Sequence, residues 1–305
     1  MHLSRRELLA AVPAILPFAT ARAADAPTRI PLGFSLYGMK TLTLTDALKA
    51  CRVIGYDGVE FALMPGYPAE PKLLTANDRK DLRKLLVDSG LKVHGLMENL
   101  AEPATDAVHN TNLERLKAAT ELGHALSPDA VPPIESVLGA KPAEWDKVKD
   151  KLAERLGKWA EIGKDAKTVI AVKPHVANAL HTLDGATWLV KQVNSPWLRL
   201  AFDYSHFELR GVALADAASA LLPHTAFVHV KDAKGKPDKF EFLLPGEGTT
   251  DYLALAKLLI VAKYAGPVVV EVSGQISGKA KYDAVAAAKS SYVALAPAFA
   301  RDVKK

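Results

Sequence analysis

The sequence predicts an α/β protein folded as a single (β/α)8 TIM barrel. Short runs rich in β-branched residues alternate with longer amphipathic runs, a pattern typical of parallel strands joined by helices. The 305 residues contain eight runs of each kind, and a closed barrel of eight such units takes about 250 residues. No linker rich in proline and glycine interrupts the pattern, so we expect one barrel domain over residues 24–305.

The elements are predicted in order from these runs. The strands are Leu32–Tyr37, Gly58–Leu63, Lys92–Met97, Ala130–Val137, Thr168–His175, Leu198–His206, Ala226–Lys231 and Pro267–Val272. The helices cover residues 45–54, 76–89, 110–125, 142–163, 182–192, 212–222, 250–264 and 281–296. The fourth strand has the least regular pattern, because Pro132 and Pro133 have no N–H to donate to a neighbouring strand.

Glycines after three predicted helices set the orientation of the barrel. Gly55, Gly90 and Gly266 each precede a strand, and glycine adopts the left-handed conformation of a helix end without a Cβ clash. These positions mark the N-terminal ends of the strands. Functional groups are expected at the opposite ends, where barrel enzymes carry their active sites. A doubly wound sheet is disfavoured, because no glycine-rich phosphate loop follows the first strand.

Residues 1–23 have the features of a twin-arginine-type signal peptide. Arg5 and Arg6 precede an apolar stretch that runs to about Thr20, and small residues follow up to Ala23. The stretch is shorter than the ~20 apolar residues of a membrane-spanning helix. We expect cleavage after Ala23, a periplasmic or otherwise exported protein, and no stable membrane association after cleavage. An ordinary secretory signal or an uncleaved anchor is the alternative.

The composition excludes several classes of protein. With 49% hydrophobic residues and a mean hydropathy of +0.05, the chain can bury a large core and is not disordered. Its single cysteine, Cys51, excludes an internal disulfide. Cleavage after residue 23 would remove three arginines and one glutamate, so the 39 basic and 34 acidic side chains become 36 and 33 and the net charge falls from +5 to +3. This charge is too small to indicate a nucleic-acid partner.

Ionisable residues terminate four consecutive strands of the predicted barrel. Strand five ends in Lys173 and His175, strand six in Asp203 and His206, strand seven in His229, Lys231 and Asp232, and strand eight in Glu271. An ionised group costs several kcal/mol to bury unless it is paired, hydrogen-bonded or bound to a metal. Packing does not need four such residues at one end, so we expect a site in which they meet; Asp232 has the alternative role of capping the following loop.

The residue types at these ends suit a metal ion. Two carboxylates and a neutral imidazole can bind a divalent cation such as Mn²⁺, Mg²⁺, Co²⁺ or Zn²⁺, so Asp203, His229 and Glu271 are candidate ligands. Glu60 and His94, taken as the ends of strands two and three, are expected to line a sugar pocket, although a lone histidine on a strand is more often structural.

Several short segments carry a resemblance to a known family. They are Ile-Gly-Tyr-Asp-Gly-Val-Glu-Phe at 54–61, Asp-Tyr-Ser-His at 203–206, Val-His-Val-Lys-Asp at 228–232, Leu-Pro-Gly-Glu-Gly at 244–248 and Val-Val-Val-Glu at 268–271. On these segments the chain resembles the xylose isomerase-like TIM barrels, the superfamily of sugar (phosphate) isomerases and epimerases that also includes endonuclease IV. The resemblance spans essentially all of residues 24–305 and is specific for the superfamily rather than for a substrate.

The resemblance implies roles for the strand ends. In the sugar isomerases and epimerases of this group, a metal is held by Glu of strand five, Asp of strand six, His of strand seven and Glu of strand eight, and the two glutamates move the proton. By position, Asp203, His229 and Glu271 are the last three ligands, and Glu271 is also catalytic. His206 corresponds to a substrate or metal contact, and we expect it to bind the substrate together with His175 and Lys231.

The match fails at the first ligand, where Lys173-Pro174-His175 replaces Glu-Pro-His or Glu-Asn-His. With Lys173 charged, the site carries about −1 instead of about −3, which weakens binding of a divalent cation. Lys173 has three alternatives: it turns away and leaves a three-ligand site, it pairs with Glu271 without a metal, or it serves as a neutral base near the metal. Like charge and burial favour the neutral amine, so Lys173 is predicted to be catalytic.

Together, these residues predict an exported isomerase- or epimerase-like enzyme that abstracts a proton next to a sugar carbonyl with help from a divalent metal ion. Free, oxidised or glycosidic sugars are the expected substrates, because exported enzymes rarely meet sugar phosphates. One alternative is a β-eliminating lyase acting on 3-keto-glycosides, since Lys173 interrupts the two-glutamate proton transfer. Another is a catalytically degenerate carbohydrate-binding barrel of the periplasm. The oligomeric state stays open, a homo-oligomer included.

Overall fold

The computed structural model describes residues 29–100 and 103–299, and it confirms a single closed (β/α)8 barrel. The strands are β1 Leu32–Ser35, β2 Gly58–Ala62, β3 Lys92–Asn99, β4 Ile134–Val137, β5 Ile170–Lys173, β6 Leu198–Asp203, β7 Thr225–Val230, β8 Asp232–Lys236, β9 Lys239–Leu243 and β10 Val268–Val270. Strands β1 to β7 lie side by side in chain order, and β10 closes the barrel between β7 and β1, with every barrel pair parallel.

The helices surround this barrel in the predicted alternation. They are α1 Leu44–Ile54, α2 Ala76–Ser89, α3 Asp106–Leu126, α4 Trp145–Asp165, α5 Leu183–Val193, α6 Ser205–Glu208, α7 Leu214–Leu221, α8 Tyr252–Val261, α9 Gly274–Ser277 and α10 Ala284–Phe299. Short 3₁₀ turns lie at Leu36–Met39, Pro71–Leu73, Pro142–Glu144 and Leu222–His224. The eight predicted helices correspond to α1–α5, α7, α8 and α10, and the other two are single turns at the mouth.

Threonine side chains fix where several helices begin. The hydroxyls of Thr43, Thr75, Thr105 and Thr182 accept hydrogen bonds from backbone N–H groups in the first turns of α1, α2, α3 and α5. Each such cap supplies a partner that the helix itself cannot, and contributes about 1 kcal/mol. At α2 the Asp78 carboxylate also accepts the backbone N–H of Thr75, which completes a capping box.

Two of the three predicted glycine helix ends are confirmed. Gly55 and Gly90 adopt φ of 112° and 69° immediately after α1 and α2. The prediction for Gly266 is wrong, because α8 ends at Val261 and the left-handed residue that follows it is Lys263, with φ of 55°. The left-handed residue therefore comes three positions before Gly266.

Most of the barrel strands are shorter than predicted, whereas β3 is longer and β7 is shifted by one residue. At the mouth, β5 ends at Lys173, β6 at Asp203 and β10 at Val270, so Glu271 lies one residue past its strand, His175 lies in a loop and His206 lies in the short helix α6. Strand β4 begins at Ile134 rather than at residue 130, directly after the two prolines, which lack the N–H groups that a ladder needs.

One element was not predicted. Strands β8 and β9 form an antiparallel hairpin after β7, with Asp232 opposite Leu243. Its turn contains Pro237 and Asp238, a combination that favours turns, and its second strand alternates apolar and charged residues. The hairpin brings Phe242, which is buried, to the mouth of the barrel. The expectation that Asp232 caps the following loop is confirmed, because its carboxylate accepts the N–H groups of Gly246 and Gly248 at 2.8 Å.

The inside of the barrel is layered. Ala171, Ala201, Phe227 and Val269 pack together as a small apolar cluster on four strands. Side chains two residues apart on a strand lie on the same face, so the next inward-facing residues toward the mouth are Lys173, Asp203, His229 and Glu271. A charged layer therefore lies directly on a hydrocarbon layer.

No helix in residues 29–100 and 103–299 is long and apolar enough to cross a membrane. The predicted signal peptide at residues 1–23 lies outside the described residues.

Candidate active site

Glu271 lies at the centre of the charged layer. Its Oε2 accepts hydrogen bonds from the ammonium groups of Lys173 and Lys231, each at 2.8 Å, and lies 3.5 Å from Nδ1 of His229. Burial raises the pKa of Glu271, but the two ammonium groups outweigh burial and hold this pKa well below its usual range. Glu271 is therefore an ionised carboxylate, and 13% of its side chain is exposed.

Lys173 is a charged ammonium group inside the barrel. Its Nζ lies 2.8 Å from Glu271, 3.0 Å from Nδ1 of His229 and 3.3 Å from Oε1 of Glu135. Burial lowers the pKa of Lys173, but the surrounding carboxylates raise it by more than burial lowers it. The pKa of Lys173 is therefore raised overall. The geometry is that of the second alternative, pairing with Glu271. This geometry favours a charged Lys173 over the third alternative, a neutral base near a metal, because carboxylates outnumber cations around its Nζ.

His229 joins the Lys173 ammonium to a carboxylate behind it. Nδ1 of His229 faces Lys173, and Nε2 lies 3.0 Å from Oε2 of Glu60. Since an ammonium group can only donate, Nδ1 must accept and the ring hydrogen must be on Nε2, where it is donated to Glu60. Glu60 thus fixes the tautomer of His229.

Lys231 and Asp203 form a second buried ion pair. Oδ1 of Asp203 accepts the backbone N–H and the hydroxyl of Ser205 at 3.2 and 2.6 Å, and Nε2 of His206 lies 3.4 Å from Oδ2. Burial raises the pKa of Asp203, but Lys231 and His206 lower it well below its usual range. Asp203 is therefore a carboxylate whose oxygen atoms are all engaged.

The rings of His175 and His206 pack against each other in a tilted arrangement, with centroids 4.2 Å apart and 47° between the ring planes. Nδ1 of His206 accepts the N–H of Val176 at 3.3 Å, and Nδ1 of His175 accepts the N–H of Ala177 at 3.1 Å. Burial lowers the pKa of His206 to about 4 and that of His175 to about 2. Both rings are neutral at pH 7 and carry their hydrogen on Nε2.

The charged layer opens into a cavity of about 460 Å³ at the C-terminal ends of the strands. This volume suits a small-molecule ligand. Acidic and basic groups line its inner part, and polar side chains that can bind hydroxyl groups lie around it, namely Tyr37, Asn99, Arg115 and Asn178. Arg115 is paired with the buried Glu98. The cavity is therefore polar and matches a carbohydrate better than an apolar ligand.

The structure brings most of the predicted site residues together. Lys173, His175, Lys231 and Glu271 line the cavity. Asp203, His206 and His229 lie behind them, fully buried, and support the lysines and Glu271. The predicted convergence of Asp203, His229 and Glu271 is observed, since one ligand atom from each lies within 4.8 Å of the others.

The two residues expected from strands two and three do not line the cavity. Glu60 is fully buried behind His229. His94 is the third residue of β3 rather than its end, and its ring packs near the starts of β1 and β2, where a side chain on Gly33 or Gly58 would collide with it. Burial lowers the pKa of His94 to about 4. The pocket prediction for His94 is wrong, because His94 is the third residue of β3, near its N-terminal end, and therefore lies at the opposite end of the barrel from the cavity.

Glu135 on β4 lines the cavity but was not predicted. It is paired in register with the inward-facing Ala171, and its Oε1 accepts no hydrogen bond although Nζ of Lys173 is 3.3 Å away. Burial raises the pKa of Glu135 to about 7 against the opposing effect of Lys173. The signal was present as an acidic residue within Ile134–Val137, the same pattern as on the later strands, but the prolines before it obscured the register.

Two groups among the described residues could hold a metal ion: Glu60, Glu135 and His229, and the predicted set Asp203, His229 and Glu271. In the predicted set every residue already has a ligand atom on an ammonium group. An ion at this set would therefore compete with the two ammonium groups for these ligand atoms.

Comparison with known proteins agrees with this fold. The family model described as xylose isomerase-like TIM barrel matches residues 48–291. An inosose dehydratase of Clostridium beijerinckii is 24% identical over 271 residues, covering 79% of this chain and 87% of its own. Among solved structures, an IOLI protein with a binding zinc atom has a TM-score of 0.74 at 19% identity, covering 89% of this chain and 100% of its own. The apo 3-keto-D-glucoside 4-epimerase YcjR from E. coli has a TM-score of 0.69 at 17% identity, covering 88% and 100%. This chain therefore belongs to the xylose isomerase-like TIM barrel family.

Proposed function

We propose that this protein is a carbohydrate-modifying enzyme of the isomerase or epimerase type, which removes a proton from the carbon next to a carbonyl group. The observation that carries the proposal is the Glu271 carboxylate, open to the cavity and held between two ammonium groups. A carboxylate beside fixed cations can take the proton while the cations stabilise the negative oxygen that forms. The names of the similar proteins, an inosose dehydratase and a 3-keto-glucoside epimerase, support a sugar-related keto substrate.

The roles follow from the contacts. Glu271 accepts the proton from carbon, the C–H electron pair forms a C=C double bond, and the π pair of the carbonyl group moves to its oxygen to give an enediolate. The ammonium groups of Lys173 and Lys231, together with the neutral Nε2–H of His175, supply donors for that oxygen. Lys173 is catalytic in this proposal as an electrophile rather than as a base.

Glu135 provides the second carboxylate. Its Oε1 lies 3.3 Å from the ammonium nitrogen of Lys173, which also donates to Glu271. With a pKa of about 7, it is suited to give or take a proton at neutral pH. We propose that Glu135 replaces the strand-five glutamate that the resemblance implies, and returns a proton to the enediolate.

A second candidate is elimination, as in a lyase acting on 3-keto-glycosides. The enediolate can expel an oxygen substituent from the next carbon, and this leaving group needs a proton. The observation that favours this candidate is again Glu135, which is partly protonated at pH 7 and can supply that proton. The two candidates share the first step and differ in where the electron pair goes next.

The test is proton exchange in D₂O, followed by NMR, with free, keto- and glycosidic sugars. We expect deuterium at the carbon next to the carbonyl, with a sugar isomer as product for the first candidate and a released aglycone for the second. Glu271→Gln should lose about 10²–10⁴-fold in rate. Lys234→Gln, on the exposed hairpin, is the matched control and should keep the full rate. Binding of a sugar without exchange would instead indicate a carbohydrate-binding barrel.

We also propose that residues 1–23 direct export and are removed. The support is the paired arginines, the apolar stretch and the small residues at its end. N-terminal sequencing of the protein from its native cell fractions should give Ala24 as the first residue in the exported fraction. An N-terminus at residue 1 or 2 in all fractions would contradict this proposal.

A further inference from the structure

The atoms that could bind a metal ion are bonded to lysines instead. Oε2 of Glu271 accepts from both Lys173 and Lys231 at 2.8 Å, Nδ1 of His229 is 3.0 Å from Nζ of Lys173, and Asp203 accepts from Lys231. We propose that these two ammonium groups take the place of a divalent metal ion, so that this family member works without a metal.

The two lysines supply the same positive charge as the metal ion that they would replace. Two ammonium groups carry the same formal charge as one divalent cation, and they are placed among the same carboxylates. Only 2% of each lysine side chain is exposed, so neither ammonium group can turn into water without repacking its surroundings. An arriving cation would meet two like charges at close range, which disfavours its binding.

His229 has no lone pair left for a metal ion. An imidazole ring with one hydrogen has one acceptor nitrogen, and in His229 this is Nδ1, which faces Lys173. The other nitrogen carries the hydrogen that is donated to Glu60. This excludes His229 as a ligand in both candidate metal groups, since each of them depends on this ring.

Without His229, the second group is left with the two carboxylates of Glu60 and Glu135. Oε1 of Glu60 and Oε1 of Glu135 are buried without a hydrogen-bond partner. Two carboxylate oxygens are fewer than the three protein ligands of catalytic zinc sites and far fewer than the six or more that calcium takes. A metal ion in this group would also need His229 to release Lys173.

The consequence for catalysis rests on the proposed function. In that reaction the enediolate oxygen needs a positive partner, and ammonium groups provide both charge and hydrogen-bond donors without an ion. The metal-binding test below does not depend on any activity, so it can fail or succeed separately from the proposed reaction.

The experiment measures metal content. The full-length protein, purified without a metal-affinity column, is incubated with excess Mn²⁺, passed through a desalting column, and analysed by elemental analysis and by the EPR signal of bound Mn²⁺. We expect less than about one-tenth of an ion per chain for the wild type and for Lys234→Gln. The variant Lys173→Glu removes an ammonium group and adds a carboxylate, so we expect it to retain roughly one Mn²⁺ per chain.

Two results would overturn the proposal. One is a wild-type protein that retains about one ion per chain and loses it on Asp203→Asn. The other is a Lys173→Glu protein with a wild-type circular dichroism spectrum that stays free of metal, because removal of the ammonium group should have opened the site. Should Lys173→Glu not fold, the wild-type metal content decides alone. Where activity is found, EDTA should leave the wild-type exchange rate unchanged within about twofold.

Discussion

Lys173 and Glu271 form a buried ion pair with 2.8 Å between Nζ and Oε2, although 98 residues separate them in the chain. They come from the fifth and eighth strands of the barrel. The pair places a positive charge where the family resemblance implies a glutamate, and the same ammonium group lies 3.3 Å from Glu135 on the neighbouring strand. The ammonium group of Lys173 is therefore close to two carboxylates, one on β4 and one directly after β10.

We expect Lys173→Met to destabilise the protein by about 3–5 kcal/mol at pH 7, because it removes one partner of a buried charge pair and leaves carboxylates uncompensated. Urea denaturation measures the free energy of unfolding. Lys234→Met is the control: this lysine is 64% exposed and pairs with Glu241 on the surface, so its loss should change stability by less than about 1 kcal/mol. Equal changes in the free energy of unfolding for the two variants would show that the buried Lys173 pair stabilises the protein no more than the surface pair does.

The pH dependence of stability should report Glu135. Its pKa is raised to about 7 in the folded protein, so the folded state holds a proton that the unfolded chain releases at lower pH. The stability due to this group is therefore full below about pH 4.5 and is lost as the pH rises to about 7, by on the order of 2–3 kcal/mol.

Glu135→Gln should remove this part of the slope between pH 4.5 and 7. The control Glu114→Gln changes a surface glutamate paired with Lys117 and should leave the slope as it is. Urea denaturation at several pH values measures both variants. A Glu135→Gln protein that keeps the wild-type slope would contradict the raised pKa.

The adjacent rings of His175 and His206 should stay neutral well below pH 7. Burial lowers the pKa of His206 to about 4 and that of His175 to about 2, so neither ring should titrate between pH 8 and pH 5. Long-range ¹H–¹⁵N NMR spectra distinguish the tautomers, and we expect both rings to carry hydrogen on Nε2. A chemical shift change with a midpoint near pH 6.5 at either ring would contradict this prediction.

Gly95 should be intolerant of a side chain. A Cβ atom there would lie 2.8 Å from Cε2 of Phe227, in the apolar layer beneath the charged residues, and relief of such a clash costs about 1–3 kcal/mol. Since the ring of Phe227 also packs against that of His229 at 4.8 Å, Gly95→Ala should reduce activity as well.

Gly157 provides the opposite case for comparison with Gly95. It lies in α4 with no atom within 4 Å of an added Cβ, so Gly157→Ala should stabilise the protein by roughly 0.5–1 kcal/mol. Thermal unfolding of the two variants measures both effects. Equal stabilities of the two variants would contradict the packing of Phe227 against Gly95.

Much of the fold and part of the site could be predicted from the chain. The eight alternating units and the inward positions of Asp203 and Glu271 follow from local patterns, since apolar runs and their ends are visible residue by residue. The hairpin β8–β9 was missed because it lies outside that alternation. His94 was misplaced because it was taken as the end of a strand, although it is the third residue of β3 and lies near the N-terminal end.

The amino-acid order alone established that charged residues end the last four barrel strands, because burial and strand periodicity act over a few residues. The resemblance to the family, rather than periodicity, implied that Lys173 stands where a glutamate is expected. Closure of the barrel decided that Lys173 is a charged group rather than a free base. It also decided that His229 donates a hydrogen bond to Glu60 and that Glu135 lines the cavity. Protonation and pairing depend on the sum of charges within a few ångströms, and that sum exists only when distant strands meet.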